Sequence, residues 1–236
     1  MITVSIVSHL QGELVAGLLH DLAALRRDDL RVILTLNLPE DEPAGHGMSV
    51  EIIRNPERLG FGANHNQALR RSGDDLYCIL NPDVRLPQDP FPALLEAAKP
   101  ERVGLVAPRV LAPSGEIENN ARRFPTFLSL ASKGLGLGPA REYPETASSW
   151  SPDWVAGMFM LVKRSAFVAV GGFDERYFLY YEDIDLCRRL RLRGYDIRLV
   201  PTATVVHDAR RTSHRNPKYL VWHLRSILRY LTTRYD

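Results

Sequence analysis

A cluster of acids in the segment FLYYEDID, residues 178–185, is the strongest candidate for acid–base chemistry in this sequence. Glu182, Asp183 and Asp185 lie within four residues, at the start of a predicted helix. The helix dipole favours acids at that position, but three carboxylates are more than capping requires. A carboxylate held in a cleft beside a cation can take a proton from an attacking hydroxyl group. Helix capping and general-base catalysis both remain open interpretations of the cluster.

Two further residues have the chemistry of ligands for a divalent cation. Asp83 lies in LNPDV, residues 80–84, directly after an apolar strand-like run, and a carboxylate there can hold a hard cation against nucleotide phosphates. His207 ends the apolar run Val205-Val206, and a neutral imidazole is a good metal ligand. The alternatives are a plain Asn-Pro-Asp turn at the strand end and a purely structural histidine.

A glycine-containing segment, Asn55 to Asn66, leads into a predicted helix. The N–H groups that follow Gly60-Phe61-Gly62 can approach an anion at the helix N-terminus. The segment is not a dinucleotide fingerprint, because His65 stands where Gly or Ala is required and no acid follows a first strand at the right distance. A simple glycine-rich helix start is the alternative interpretation.

Hydrophobic periodicity indicates which elements position these residues in the first half of the chain. Apolar runs predict buried strands, and apolar residues at helical spacing predict helices between them. The strands are expected at Ile2–Val7, Arg31–Leu36, Val50–Ile53 and Leu76–Leu80, and the helices at Glu13–Leu25 and Ala63–Arg71. This alternation predicts an α/β fold, with a mostly parallel central sheet flanked by helices on both faces.

Polar residues follow the first four predicted strands. They are Ser8 and His9 after the first strand, Asn37 after the second, Asn55 after the third and Asp83 after the fourth. Ligands of open α/β sheets bind at the carboxyl ends of the strands, so this edge of the sheet is the predicted binding site.

The second half of the chain is less regular. A helix is expected to end over Leu94–Ala98, and Arg122 to Gly138 has no clean periodicity, which predicts a mobile or partner-contacting loop. Strands are expected at Val103–Ala107, Trp154–Val162, Ile197–Val200 and Thr204–His207, and helices at Arg164–Val170 and Ile184–Arg193.

Length and composition set the remaining limits. The 236 residues suit one α/β domain, and 45% hydrophobic with 25% charged residues is ordinary for a globular protein. A net charge of +2 gives no reason to expect a nucleic-acid partner. We expect no signal peptide, no spanning helix and a cytoplasmic location. Cys78 and Cys187 are outside any CxxC pair, which favours reduced core thiols.

The C-terminal segment predicts an amphipathic helix. Apolar residues recur at helical spacing, with basic residues around them: Leu220, Leu224, Ile227, Leu228 and Leu231, and Lys218, Arg225, Arg229 and Arg234. Such a helix can lie on the anionic inner face of a membrane. The alternative is packing on the domain itself or on a second copy in a homodimer.

These motifs, in this order, resemble glycosyltransferase family 2, with its GT-A fold. The resemblance extends from Thr3 to about His207 and is strongest to bacterial rhamnosyltransferases. The resemblance rests on the following residues and motifs: Asn55 with Gly60-Phe61-Gly62 and Asn66, then LNPDV (80–84), WVAGMFMLVKRSAF (154–167), GGFDERYFLYYEDIDLCRRLRLRGY (171–195) and VVH (205–207).

The resemblance implies a role for each matching residue. Asp83 and His207 would bind Mg²⁺ or Mn²⁺, with Asn81 in place of the family's first carboxylate. Asp183 would be the general base, Glu182 would orient the acceptor, and Trp154 and Gly157 would line the acceptor side. The implied donor-binding residues are Ser8, His9, Asn37, Asn55, Gly60, Phe61, Gly62, Asn66, Asn81 and Asp83.

Two departures from the family pattern affect donor recognition. Ser8-His9-Leu10 replaces a Thr-Tyr-Asn-like triplet, and Leu36-Asn37 lacks the acid of an Asp-Asn pair. The resemblance therefore implies that recognition of the nucleobase or ribose differs from that in relatives, with His9 in the place of the missing tyrosine.

The implied function is metal-dependent, inverting sugar transfer, best matched by rhamnose from dTDP-rhamnose, to a glycan or lipid-linked acceptor in bacterial cell-surface polysaccharide synthesis. Residues 1–100 would bind the nucleotide sugar, 101–212 would bind the acceptor and catalyse, and 213–236 would form the C-terminal helix. The alternatives are a UDP-hexose donor and a non-catalytic nucleotide-sugar-binding module. Joint retention of Asp83, Glu182, Asp183 and His207 argues against the module.

Overall fold

The computed structural model describes residues 1–134, 137, 143, 148–208 and 217–235. Strands and helices alternate in its first half, as the apolar runs predict. The elements are β1 (Ile2–Ser8), α1 (Gly12–Ala24), β2 (Leu30–Leu36), β3 (Val50–Arg54), α2 (Phe61–Leu69), β4 (Leu76–Leu80), β5 (Val84–Arg85) and α3 (Phe91–Ala98).

The second half combines short strands with the helices that border the candidate site. These elements are β6 (Val103–Leu111), β7 (Ala121–Arg122), α4 (Phe127–Gly134), β8 (Trp154–Val155), β9 (Phe159–Lys163), α5 (Arg164–Ala169), α6 (Glu182–Leu192), β10 (Asp196–His207) and α7 (Pro217–Thr232). No helix of the described residues is both long and apolar enough to cross a bilayer.

Eight strands form one central sheet in the order β3-β2-β1-β4-β9-β6-β10-β5, and β7 pairs with β8 in a separate small sheet. Among the described strands of the large sheet, the four pairings β1–β2, β1–β4, β2–β3 and β6–β10 are parallel. β9 runs antiparallel between β4 and β6, and β5 runs antiparallel to β10. The predicted α/β fold with a mostly parallel sheet is confirmed.

The core lies in two layers, one on each face of the sheet. Helices α1 and α3 cover one face, and α2, α5 and α6 cover the other. Strands β1, β2 and β4 are buried on both faces, which explains their near-continuous apolar sequences. Cys78 and Cys187 are buried free thiols, as predicted.

Three boundaries predicted from the sequence were wrong. The run Trp154–Val162 is two strands separated by a turn at 156–158, so β8 can leave the large sheet and pair with β7. Ile197–Val200 and Thr204–His207 belong to one strand, β10, whose register against β6 shifts between Val200 and Thr204. Pro201 cannot donate to the ladder, which accounts for this interruption.

The third wrong boundary is the loop predicted from Arg122 to Gly138. This segment contains the end of β7 and the helix α4, while 135, 136 and 138 lie outside the described residues. Helix α4 has only eight residues, fewer than the window over which helical periodicity is recognised. It exposes two of its large apolar residues, Phe127 at 74% and Leu128 at 79%.

A buried hydrogen bond fixes α2 against β1. Ser5 Oγ lies 2.8 Å from His65 Nδ1, and the Tyr77 hydroxyl donates to the His65 carbonyl oxygen at 2.6 Å. His65 Nε2 is buried and has no hydrogen-bond partner among the described residues. Burial therefore lowers the pKa of His65 to about 3. This contact holds the N-terminal end of α2, with Phe61, at the carboxyl edge of β1.

Replacing His65 is expected to make the protein less sensitive to acid. Because the folded pKa is about 3 and the unfolded value is 6.5, the contribution of His65 is complete above about pH 6.5 and is lost as the pH falls. The loss is about 1.4 kcal/mol per pH unit. Urea unfolding between about pH 6 and pH 4.5 should show a shallower pH slope for His65→Gln than for the wild type. The exposed Ser49→Ala variant, which removes no titratable group, is the control. Equal slopes for His65→Gln and the wild type would contradict the prediction.

Candidate active site

Two adjoining pockets open at the carboxyl edge of the sheet. The first pocket has a volume of about 360 Å³ and is lined by His9, Asn37, Arg58, Asp83 and Tyr219, among others. The second pocket has a volume of about 700 Å³ and is lined by Arg122, Trp154, Gly157, Asp183 and His207, among others. Phe61, Asn81 and Leu179 line both pockets. The two pockets therefore share a wall, and the predicted donor and acceptor sides adjoin.

Five of the ten residues predicted to bind the donor line the first pocket: His9, Asn37, Phe61, Asn81 and Asp83. Asn37 also shapes the pocket wall. Its Oδ1 accepts from Leu59 N and from Asn55 Nδ2, each at 2.9 Å, and its Nδ2 donates to Leu59 O at 2.9 Å. Asn55 thus acts behind the pocket wall, where it also donates to Asn64 Oδ1 at 2.6 Å.

The other residues predicted on the donor side are Ser8, Gly60, Gly62 and Asn66, and they lie behind the first pocket. A Cβ at Gly60 would come within 2.7 Å of Phe178 O, and one at Gly62 within 2.6 Å of Phe173 Cβ. The amide N–H of Phe61 donates to Phe178 O at 2.9 Å and is not available to an anion. Both glycines therefore permit close packing of the 173–178 segment, which favours the simple helix start.

Asn66 and Ser8 have structural hydrogen bonds. Asn66 Nδ2 donates to Phe173 O at 2.8 Å, and its Oδ1 accepts from Phe173 N at 2.9 Å. Ser8 is fully buried, and its Oγ accepts from Gln11 N at 3.2 Å. Asn66 therefore holds the segment that leads to the acid cluster, and Ser8 shapes the turn after β1.

The candidate cation site is formed where β5 pairs with β10. The register places His207 opposite Val84, next to Asp83, and Asp208 N donates to Asp83 O at 2.8 Å. His207 Nε2 lies 3.3 Å from Asp83 Oδ2. Asp83 Oδ1 is buried and has no hydrogen-bond partner in the described part of the chain. An orphaned carboxylate oxygen beside an imidazole nitrogen fits a divalent cation.

Glu118, which the sequence analysis missed, contacts the other side of the same imidazole. Its Oε2 lies 3.0 Å from His207 Nδ1. Burial opposes a charge on His207, but the hydrogen bonds to Asp83 and Glu118 outweigh it and raise the pKa of His207 to about 9. A carboxylate on Nδ1 directs Nε2 towards a metal, as is usual for metal-bound histidines. No local signal marks Glu118, because its partner is 89 residues away in the sequence.

No three His, Cys, Asp or Glu side chains form a ready metal cage within the described ranges. Asp83 and His207 supply two ligands at most. This number suits a cation that is completed by substrate phosphates and water, since Mg²⁺ is commonly bound by one or two carboxylates and a nucleotide.

The acid cluster separates into two reactive candidates and one structural residue. Asp185 forms an ion pair with Arg189 at 2.6 Å and accepts from the Tyr235 hydroxyl at 2.9 Å, so it is committed to packing. Asp183 is half-buried, and its Oδ2 accepts from Gly157 N at 3.1 Å. Its Oδ1 accepts from Ile184 N at 2.8 Å.

Burial raises the pKa of Asp183 above its ordinary value, although the two backbone N–H groups favour the charged form. Glu182 is buried beside it, and one of its oxygens has no partner among the described residues. Burial and the charge of Asp183 raise the pKa of Glu182 well above its usual range. One ionised and one protonated carboxyl group is the arrangement that this pair favours.

The backbone before α6 is strained. Tyr180 and Tyr181 both have φ of 70°, a left-handed conformation that is rare for bulky residues. Their rings pack on α7, with Tyr180 5.1 Å from His223 and Tyr181 5.5 Å from Tyr230. Helix α7 therefore supports the conformation that presents the acid pair to the second pocket.

Three cationic or aromatic wall residues were also missed by the sequence analysis: Arg58, Arg122 and His223. Arg58 lies over the rings of Phe178 and Trp222, at 5.4 and 4.8 Å. Arg122 lies 5.4 Å from the ring of Trp154. The positions of these three side chains in the pocket walls depend on contacts between segments that are far apart in the sequence. Local sequence patterns do not reveal such contacts.

Comparison with known sequences agrees with this geometry. The family model described as glycosyl transferase family 2 matches residues 3–168, and one described as N-terminal domain of galactosyltransferase matches 145–215. The chain is 32% identical over 211 residues to the N-acetylglucosaminyl-diphospho-decaprenol L-rhamnosyltransferase of Mycobacterium tuberculosis, covering 80% of this chain and 68% of the relative. It is 34% identical over 190 residues to the rhamnosyltransferase WbbL of Escherichia coli K12, covering 74% and 71%.

Solved structures share the fold. GalNAc-T7 with UDP, GalNAc and Mn²⁺ superposes with a TM-score of 0.71 at 15% identity, over 93% of this chain and 46% of that one. The mannosyltransferase PcManGT from Pyrobaculum calidifontis, with GDP-Man and Mn²⁺, gives 0.64 at 18% identity, over 100% and 65%. The chain thus spans about half of the first structure and just under two thirds of the second. The predicted GT-A fold is confirmed.

Proposed function

The chain belongs to glycosyltransferase family 2, and we propose that it transfers a sugar, with inversion, from a nucleotide diphosphate donor to an acceptor hydroxyl group. One observation carries this proposal. Asp83 lines the first pocket and Asp183 the second, and the two pockets share Phe61, Asn81 and Leu179 as a wall. A donor bound on one side would place its sugar at that wall, beside a carboxylate that faces the acceptor.

The donor binds through residues 1–100 in this proposal, with its diphosphate at Asp83 and His207. A divalent cation, Mg²⁺ or Mn²⁺, would be held by these two side chains and would neutralise charge on the leaving nucleotide. The Mn²⁺ named for GalNAc-T7 and PcManGT supports this choice of cofactor. His9 and Asn37 line the remainder of the first pocket, where the nucleoside would bind.

Asp183 acts as the general base from the half that spans residues 101–212. Its carboxylate is fixed by Gly157 N and Ile184 N, and its raised pKa makes it a stronger base than an exposed aspartate. It takes the proton of the acceptor hydroxyl as that oxygen attacks the anomeric carbon. A single displacement inverts the configuration. Protonated Glu182 beside it would orient the acceptor by donating a hydrogen bond.

The names of the relatives favour a particular donor and acceptor. Two relatives at 32% and 34% identity are rhamnosyltransferases, one of them named for a diphospho-decaprenol acceptor. We therefore propose transfer of rhamnose from dTDP-rhamnose to a lipid-linked glycan in cell-surface polysaccharide synthesis. A UDP-hexose donor is the alternative, and a thermal-shift screen of nucleotide sugars with Mn²⁺ distinguishes the two donors.

Helix α7 supports a location at the inner face of the membrane. Its packed face carries Ser226 and Tyr230, whereas the opposite face exposes a stripe of Leu220, Val221, Leu224, Leu228 and Leu231. Lys218, Arg225 and Arg229 lie along one edge of this stripe at helical spacing. Exposed apolar residues bordered by cations are typical of a helix in an anionic membrane interface.

Asp183→Asn is expected to lower kcat by about 10²- to 10⁴-fold, the usual contribution of a general base, without changing the donor Kd. Because burial raises the pKa of Asp183, the wild-type kcat should fall with decreasing pH at values above the ordinary 3.8. Steady-state kinetics and donor calorimetry measure both quantities. The exposed Asp28→Asn control should be fully active. An active Asp183→Asn enzyme would remove Asp183 from the mechanism.

Glu118→Ala is expected to weaken Mn²⁺ binding by about 10- to 100-fold, because His207 loses the partner that orients its ring. Titration calorimetry of Mn²⁺ in the presence of dTDP measures this affinity. Glu118→Gln keeps an oxygen acceptor and should lose less, while Asp83→Ala should lose most. Glu116→Ala, an exposed acid in the same loop, is the matched control. Unchanged affinity in both Glu118→Ala and Asp83→Ala would refute the cation site.

Leu224→Glu with Leu228→Glu is expected to abolish co-sedimentation with phosphatidylglycerol vesicles. Both side chains are exposed, so the fold should be retained, whereas removal of α7 would damage the walls that Tyr219 and His223 form. The wild type should bind these vesicles better than neutral phosphatidylcholine vesicles. Leu192→Glu, another exposed leucine, is the control. Absence of wild-type binding would contradict the membrane role, and a dimer that the double variant dissociates would assign the stripe to a second copy.

A further inference from the structure

We propose that Arg122 forms a phosphate-binding subsite in the second pocket, where it holds the phosphate of the lipid-linked acceptor. The inference rests on the proposed transferase function and deepens it by assigning the acceptor class to a named side chain. His207, to which the donor diphosphate is assigned together with Asp83, lines the same pocket, but among the described residues Arg122 forms no hydrogen bond or ion pair with either side chain. Arg122 lines the second pocket, on the same side as the general base.

The guanidinium group of Arg122 is held in place at two points. β7 pairs with β8 so that Arg122 lies opposite Trp154, and the guanidinium carbon is 5.4 Å from the centre of the Trp154 ring. Nε donates to Asn119 O at 2.8 Å. Because the side chain is already fixed by stacking on Trp154 and by the hydrogen bond of its Nε, it loses little conformational entropy when its terminal nitrogens bind a ligand.

The terminal nitrogens of Arg122 are free of protein partners among the described residues. Neither donates a hydrogen bond to any residue of the described ranges, and neither forms an ion pair there. The two acids of the same pocket, Glu182 and Asp183, are not its salt-bridge partners in those ranges, although the charge of Arg122 is felt at Asp183. The pocket thus contains a fixed cation whose two-pronged donor edge matches a phosphate group.

The surroundings of Arg122 indicate what else the phosphate-bearing ligand carries. Pro125, Leu130 and Ile227 all line the second pocket, so α4 and α7 both border it. Outside the pocket the same two helices expose Phe127, Leu128 and Leu228, the last at 64%. A cation at the pocket wall and apolar helix surfaces beside it match an amphipathic molecule, with phosphate inside and hydrocarbon at the rim.

A purely polar acceptor would not need this combination. A free glycan binds through hydrogen bonds of its hydroxyl groups. It offers no anion to the guanidinium group and no hydrocarbon to the apolar rim. A phosphate placed near Asp183 would also fix the distance between the acceptor sugar and the base, because the linkage to phosphate starts at that sugar. Arg122 would therefore select acceptors and orient them without contacting the reacting hydroxyl group.

The test compares two acceptors that carry the same sugar. One is N-acetylglucosamine linked by diphosphate to a short polyprenol, and the other is a neutral alkyl glycoside of N-acetylglucosamine. Arg122→Gln should lower kcat/KM for the diphosphate acceptor by about 10- to 100-fold, mainly through KM, as expected for loss of a charge-assisted hydrogen bond. With the neutral acceptor the loss of kcat/KM should be clearly smaller, because only the effect of the Arg122 charge on Asp183 is then removed. Arg122→Lys should recover part of the loss, because it restores charge without the planar fork.

Two controls separate a binding role from a structural one. Donor Kd by calorimetry and the thermal midpoint should match the wild type in Arg122→Gln. Arg193→Gln, an exposed arginine after α6, should behave as the wild type with both acceptors.

Equal losses with both acceptors would overturn the subsite and assign Arg122 to orientation of Asp183. Equal kcat/KM of the wild type for the neutral and the diphosphate acceptor would also overturn the phosphate subsite, but it would not contradict the proposed transferase function. Absence of nucleotide-sugar binding and of all transfer would instead refute the proposed function.

Discussion

The antiparallel pairing of β5 with β10 is the constraint on which the candidate site depends. β5 is only two residues long, yet it brings Asp83 from the first half of the chain next to His207 from the second. β10 is held on its other side by a parallel pairing with β6, so its end cannot move independently of the sheet. Glu118, in the segment that follows β6, then reaches the far nitrogen of the same imidazole. The carboxylate–imidazole–carboxylate arrangement is thus a product of sheet topology.

A second constraint places the acid pair on the opposite side of the same opening. The segment 173–178 packs so closely on the start of α2 that Gly60 and Gly62 cannot carry a side chain without displacing it. Asn66 fixes this segment with hydrogen bonds in both directions. The chain then turns through two left-handed tyrosines before α6 begins. Because every step is anchored to the sheet or to α7, the strain is supported by packing and need not relax.

Local periodicity and the order of the motifs predicted the buried strands and the acid cluster. Features that depend on contacts between residues far apart in the sequence were not predicted. Buried strands and the acid-rich start of α6 follow from apolar runs and from the cluster around Asp183. The split between β8 and β9 was missed because both segments are apolar, and a turn at Gly157 has no effect on that pattern. Glu118 and Arg122 lie in polar segments that look like ordinary loops. Their significance appears only when partners far away in sequence, His207 and Trp154, are brought beside them.

His207 and Arg122 line the same pocket but differ in a way that assigns them to different ligands. His207 lies between two carboxylates, so this site favours a divalent cation that replaces the proton on the imidazole, and an anion is accepted there only through that cation. Arg122 lies against an aromatic ring with no carboxylate ion pair in the described ranges, so it can bind an anion directly. A pocket that bridges two phosphate-bearing substrates needs this difference, since two equivalent sites would exchange their ligands. The general base, Asp183, lines the second pocket, where the acceptor hydroxyl must lose its proton.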